Sequence, residues 1–132
     1  MIVLDARVLI AHLKPDHTHA QAAAGILNTE EELIIHPLTL AELLVGPMRT
    51  HQEEAFRSAL IRLGILTWTP DPDHPYRLAR LRATSGLKLP DCCVLDTARS
   101  TQATLATFDH TLAKAATDRG VPTVGLYTEN TR

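Results

Sequence analysis

The chain has 132 residues, a net charge of −2, and 45% apolar against 21% charged residues. A length of this kind fits one domain, here residues 1–132, with a core of ordinary size, and the composition excludes a disordered chain. No stretch approaches the ~20 consecutive apolar residues of a membrane span, and the opening Met-Ile-Val-Leu-Asp lacks the basic region of a secretory signal, so a cytoplasmic protein is expected.

In chain order, Ile2 to Leu4 is aliphatic and β-branched, reads as a short buried strand, and meets Asp5. Residues 6–13 predict a helix that stops before Pro15, and the alanine-rich stretch 18–27 predicts a second. Leu33 to His36 is the next strand, ended by Pro37. Residues 39–45 predict a helix with Thr39 as N-cap and a break at Gly46-Pro47. Residues 50–63 carry apolar side chains at helical spacing and stop at Gly64. Ile65 to Thr69 is strand-like, 70–75 is a turn, and a helix follows over 76–84. Gly86 and Pro90 bracket a loop before a helix over 91–100. Ala103 to Thr107 is a short strand, 110–119 a helix ended by Gly120, and Val121 to Leu126 a last strand before a tail, 127–132, that reads as frayed. Short strands alternating with helices predict an α/β three-layer sandwich around a mostly parallel sheet of four to five strands.

Ligands bind beyond the carboxyl ends of the strands in such sheets. Asp5 directly follows a strand, Asp109 follows one across Phe108, and Glu42 opens the helix after another. Asp91 opens a helix after a loop and joins them if that helix points its N-terminus at the same rim. Each acid also reads as a helix cap: Asp5, Asp91 and Asp109 as N-caps, and Glu42 as partner of Thr39 in a Thr-x-x-Glu capping box. Caps need no convergence, whereas a site does. Two carboxylates at ~4 Å repel by about 4 kcal/mol at an effective dielectric near 20, so convergence demands protonation or a cation. A hard divalent ion, Mg²⁺ or Mn²⁺, suits oxygen donors, lowers the pKa of a bound water and stabilises charge on a phosphate under attack.

Charge is unevenly spread. Residues 1–76 hold five Lys and Arg against ten Asp and Glu, and residues 77–132 hold eight against five. Arg77, Arg80, Arg82 and Lys88 fall close together and are candidates for holding RNA phosphates, with a solvated helix face as the plain alternative.

Four segments then carry a resemblance. MIVLDARVLIAHL resembles the opening of PIN domains, HPLTLAELLVG their second motif, LKLPDCCVLDTA the third and ATLATFDHTLAKAA the fourth, in order across nearly the whole chain. Size and pattern look most like VapC-type toxins of toxin–antitoxin pairs. The resemblance implies a Mg²⁺- or Mn²⁺-dependent endoribonuclease cutting tRNA or ribosomal RNA, commonly a homodimer, restrained by a cognate VapB-type antitoxin. It makes Asp5, Glu42, Asp91 and Asp109 the metal-binding and catalytic acids and Thr107 a supporting hydroxyl. One departure stands out. Relatives often carry Asn or Ser two positions after the first Asp, where this chain has Arg7, a guanidinium able to pair with a carboxylate and compete with the metal or to point away and bind phosphate. A catalytically weakened module that binds RNA or protein is therefore the alternative function. Asp96 lies about 140° round its helix from Asp91 and reads as a supporting or an exposed residue.

Other chemistries fit less well. His17 and His19 complete no tetrahedral zinc set. Cys92 and Cys93 read as core-filling thiols. A phospho-accepting receiver domain would need a second acid beside Asp5 and a late Lys after a strand, which Val121 to Leu126 lacks.

Overall fold

The computed structural model describes residues 1–126; the tail predicted to fray lies outside them. Five strands, β1 (Ile2–Leu4), β2 (Leu33–Ile35), β3 (Ile65–Thr67), β4 (Thr104–Ala106) and β5 (Thr123–Val124), pair in the order β3-β2-β1-β4-β5. Every pairing is parallel, with Val3 opposite both Ile34 and Leu105.

Alternation along the strands creates the three layers. Ile2, Leu4, Leu33, Ile35 and Ala106 face one way, onto α1 (Ala6–Leu13), α2 (Ala20–Leu27), α3 (Pro37–Arg49) and α4 (Glu53–Arg62) through Val8, Leu9, Ile26, Leu43 and Phe56. Val3, Ile34 and Leu105 face the other way, onto α5 (His74–Ser85), α6 (Leu89–Thr101) and α7 (His110–Asp118) through Leu81, Leu95 and Leu112. A strand buried on both faces needs apolar residues at successive positions, which is why Ile-Val-Leu and Leu-Ile-Ile run without a polar break. The sheet is thus a three-layer α/β sandwich, parallel throughout. No helix among the described residues is long and apolar enough to cross a membrane.

Four prolines were misleading as boundaries, each standing inside a helix. Pro37 opens α3 at its first turn, where a missing N–H costs nothing, and His36 is the N-cap, its Nδ1 accepting the Leu38 N–H at 2.9 Å. Thr39 is buried inside the helix, so the expected Thr39–Glu42 capping box does not form. Gly46-Pro47 does not break α3; Pro47 stands in its last turn and the helix ends two residues later. Pro90 opens α6 rather than closing a loop, so that helix begins at Leu89 and its N-cap is Lys88, not Asp91. Pro75 does the same for α5. The last strand is shorter than expected, two residues against six.

Candidate active site

From β1 the chain moves one way to β2 and β3, then returns to place β4 on the other side. Such a reversal opens a crevice between the carboxyl ends of the two strands at the switch, here β1 and β4. Asp5 leaves β1 directly, and Thr107, Phe108 and Asp109 leave β4. Glu42 on α3 and Asp91 on α6 reach the same place. Asp5, Glu42, Asp91 and Asp109 all line one cleft of about 550 Å³, with Arg7 and Lys88 beside them.

Capping does not account for this convergence. Asp5 occupies the N-cap position of α1, yet its carboxylate makes no cap hydrogen bond. Instead its Oδ2 accepts from Thr107 Oγ1 at 2.8 Å. Neither Glu42 nor Asp91 caps a helix. Asp109 alone does, its Oδ1 accepting the N–H groups of Thr111 and Leu112, while its Oδ2 faces the cleft. Thr107 ties the two strand ends together, because its fully buried hydroxyl donates to Asp5 and accepts the Asp109 N–H at 3.0 Å.

The acids feel one another. Burial raises the pKa of Asp5 most, with Asp109 adding to it. Asp91 is raised by burial and then by Asp5 and Asp109, and Glu42 by burial and then by Asp5 and Asp91. Asp109 behaves oppositely: burial works against its charge, but the Leu112 and Thr111 N–H groups and Arg7 bring its pKa below the ordinary value. Three carboxyls pushed up by desolvation and mutual repulsion form a site that a cation would relieve.

One cation is already present. Arg7 Nη1 bridges Asp109 at 2.7 Å and Asp5 at 3.7 Å, so the guanidinium pairs with the carboxylates rather than pointing away. Its side chain remains more than half exposed, with a relative accessibility of 58%, which leaves it room to swing out.

The residues fit a hydrated hard ion. Every donor is a carboxylate oxygen, and no three of these acids bring oxygens within 4.8 Å of one another among the described residues. That spacing leaves room for waters in the shell of a hard divalent ion.

Other candidate residues lie elsewhere. Asp96 is buried at 1% exposure, not solvent-facing, and does not line the cleft. It accepts from His74 Nδ1 at 2.6 Å and from Arg77 Nε at 2.8 Å. Arg77 is also held by Asp71, and Arg82 gives Nη1 to the carbonyls of Gly86 and Leu87. Arg80 and Lys88 are exposed and unengaged among the described residues.

Behind Asp96 runs a buried chain. The Leu38 N–H donates to His36 Nδ1, which puts the His36 proton on Nε2, 2.8 Å from His74 Nε2, and His74 Nδ1 then donates to Asp96. Cys93 completes a trio with the two histidines whose ligand atoms lie within 4.8 Å of one another. Its bonding opposes a metal there. An ion on His36 Nε2 would require the proton on Nδ1, where the Leu38 N–H already points. This trio is separate from the acidic cleft.

Sequence reading missed His36, although a polar residue before a first-turn proline marks an N-cap. It also missed Gly125, whose φ is 117° and whose Cβ, if present, would lie 2.5 Å from the Thr107 carbonyl oxygen. No local pattern announces a glycine fitted against a residue from another strand.

The profile of the PIN domain matches residues 2–118. The chain belongs to the PIN-domain family. PIN domains are generally nucleases and use divalent metals. Among solved structures, a toxin–antitoxin complex from Klebsiella pneumoniae is 28% identical, with a TM-score of 0.69, 83% of this chain covered and 87% of that one. FitAcB from Neisseria gonorrhoeae is 22% identical, with a TM-score of 0.70 and coverage of 94% and 96%. VapBC2 from Rickettsia felis, bound to a promoter DNA fragment, is 18% identical, with a TM-score of 0.67 and coverage of 96% and 100%. The last two likenesses speak for the fold alone. Among curated proteins none matches.

Proposed function

We infer that this PIN domain is a Mg²⁺- or Mn²⁺-dependent endoribonuclease toxin of a VapBC-type toxin–antitoxin pair, acting on tRNA or ribosomal RNA. The observation carrying this reading is the meeting of Asp5, Glu42, Asp91 and Asp109 in one cleft, where only one of the four is engaged as a cap. These four acids would hold the ion, no more than two of them directly and the others through its waters. When bound, it would activate water and offset charge on the phosphate. Thr107 keeps the Asp5 carboxylate fixed through its hydroxyl proton, and the Thr111 and Leu112 N–H groups fix Asp109. Lys88, exposed on the cleft edge, would steady a flanking phosphate. Ile10, which lines the cleft, and the exposed Leu13 on α1 and Val45 and Met48 on α3 offer apolar surface for a VapB-type antitoxin or a second copy of the chain.

Arg7 supports a second reading, a binding module with weakened catalysis, because its guanidinium already pairs with two of the acids. Incubating the protein with RNA and Mn²⁺, with EDTA and Asp5→Asn as controls, separates the readings. The nuclease gives cleavage that EDTA and Asp5→Asn both abolish; RNA retained intact by every sample favours the module, and equal cleavage by wild type and Asp5→Asn ends the nuclease assignment.

A further inference from the structure

The acidic cleft continues away from the acids. It shares Ser85, Leu87 and Thr111 with a second hollow bordered by Lys114 and Arg119. That hollow shares Thr84 and Arg119 with a third, of about 560 Å³, where Arg77, Arg80, Arg99 and Arg119 stand with Asp71 and Asp96. Taken together through these shared residues, the three hollows make a furrow with four acids at one end and, at the other, four arginines against Asp71 and Asp96.

Helical spacing builds the basic end. Arg77, Arg80 and Thr84 recur every three to four residues along α5 and share a face, as do Asp96, Arg99 and Ser100 along α6. The two helices pack together, and Arg119 closes the hollow from the end of α7. Not all of this charge is spent. Arg77 is committed to Asp71 and Asp96, and Arg119 gives Nη1 to the Ala115 carbonyl. Arg80 and Arg99 are exposed, and among the described residues their side chains have no hydrogen-bond or ion-pair partner. Asp118, the acid lining the middle stretch, is paired with Lys114.

We propose that this furrow is the track of a single RNA strand, whose backbone phosphates are held by Arg80, Arg99 and Arg119 while another phosphate lies at the four acids. The proposal rests on the nuclease reading above and adds the direction from which the strand arrives. No Phe, Tyr or Trp lines the furrow, so it grips chiefly the backbone, with His110 and the arginine planes as its stacking surfaces. The track therefore contributes affinity and little sequence preference. Beside Arg80 it uses Arg99 and Arg119, which come from later in the chain and line the hollow.

Binding measured apart from cleavage tests this. A labelled single-stranded RNA of about 12 nucleotides is titrated with the full chain in EDTA across a salt series, and fluorescence anisotropy is read. The Arg80→Gln/Arg99→Gln double variant should bind about tenfold more weakly at low salt, and the slope of log affinity against log salt should fall by about 1.4, or about 0.7 per lost phosphate contact. Arg57→Gln/Arg62→Gln, on exposed positions of α4 in the opposite layer, should bind as wild type does. Absence of binding by wild type, an unchanged slope in the first variant, or an equal loss in the second overturns the track. Failure of the nuclease reading looks different: RNA held through Arg80 and Arg99, with no cleavage on adding Mn²⁺.

Discussion

Arg7 Nη1 lies 2.7 Å from Asp109 Oδ2. A cation fixed there lowers the repulsion among the acids before any metal arrives, and a metal must displace it or share the carboxylates with it. Arg7→Gln should therefore tighten Mn²⁺ binding by about tenfold, equivalent to about 1.4 kcal/mol, while lowering the melting temperature of the metal-free protein. Calorimetric titration and a thermal melt measure both. Unchanged or weaker Mn²⁺ binding would show that the guanidinium does not compete.

Gly125 sets the position of Thr107. With φ at 117° and a Cβ due 2.5 Å from a backbone oxygen, Gly125→Ala forces the β4 end to shift. A stability loss of about 1–3 kcal/mol is expected, and cleavage should fall further than stability explains, because the Thr107 hydroxyl holds Asp5. Chemical denaturation and a cleavage assay on the folded variant check this; full activity would free Thr107 of the role.

The buried histidine chain is a stability element. Asp96→Ala leaves the His74 Nδ1–H buried without an acceptor and strips Arg77 of one carboxylate. The cost should be about 3–5 kcal/mol, lowering Tm by about 10 °C or more. RNA cleavage below the new Tm should persist, since Asp96 does not line the acidic cleft. Loss of Mn²⁺ binding in folded Asp96→Ala would instead tie it to the site.

Acid should weaken the protein through His36 and the metal site through its carboxyls. Burial, then His74, lowers the His36 pKa from 6.5 to about 4. The unfolded chain binds that proton more readily, so this stability is complete above 6.5 and is lost as pH falls toward 4. Asp5, Asp91 and Glu42 have raised values, so each destabilises the metal-free fold at neutral pH and stops doing so as it protonates below its raised pKa. Mn²⁺ should accordingly raise Tm at about pH 7 and much less near pH 4. A Tm increase independent of pH would place the ion elsewhere.

Much of this was legible in the sequence, for identifiable reasons. Strands buried on both faces leave uninterrupted aliphatic runs, so β1 and β2 were read almost residue for residue. Asp5 and Asp109 were visible because a strand end is a local pattern. The prolines misled because one residue type both ends helices and opens them, and only packing around Thr39 and Cys92 shows which. Arg77 and Arg82 looked unengaged because their partners, Asp71, Asp96 and two carbonyls, are fixed by the fold. Arg99 and Arg119 were invisible as a pair because nothing in the order of residues brings α6 and α7 to one furrow.

Titrating Mn²⁺ into wild type, Asp5→Asn and Asp91→Asn by calorimetry goes most directly to the centre of the account. Wild type should bind with an affinity that each substitution lowers about tenfold or more, while each substituted protein melts higher than wild type without metal because one repelling charge is gone. Identical Mn²⁺ isotherms for all three proteins would contradict it.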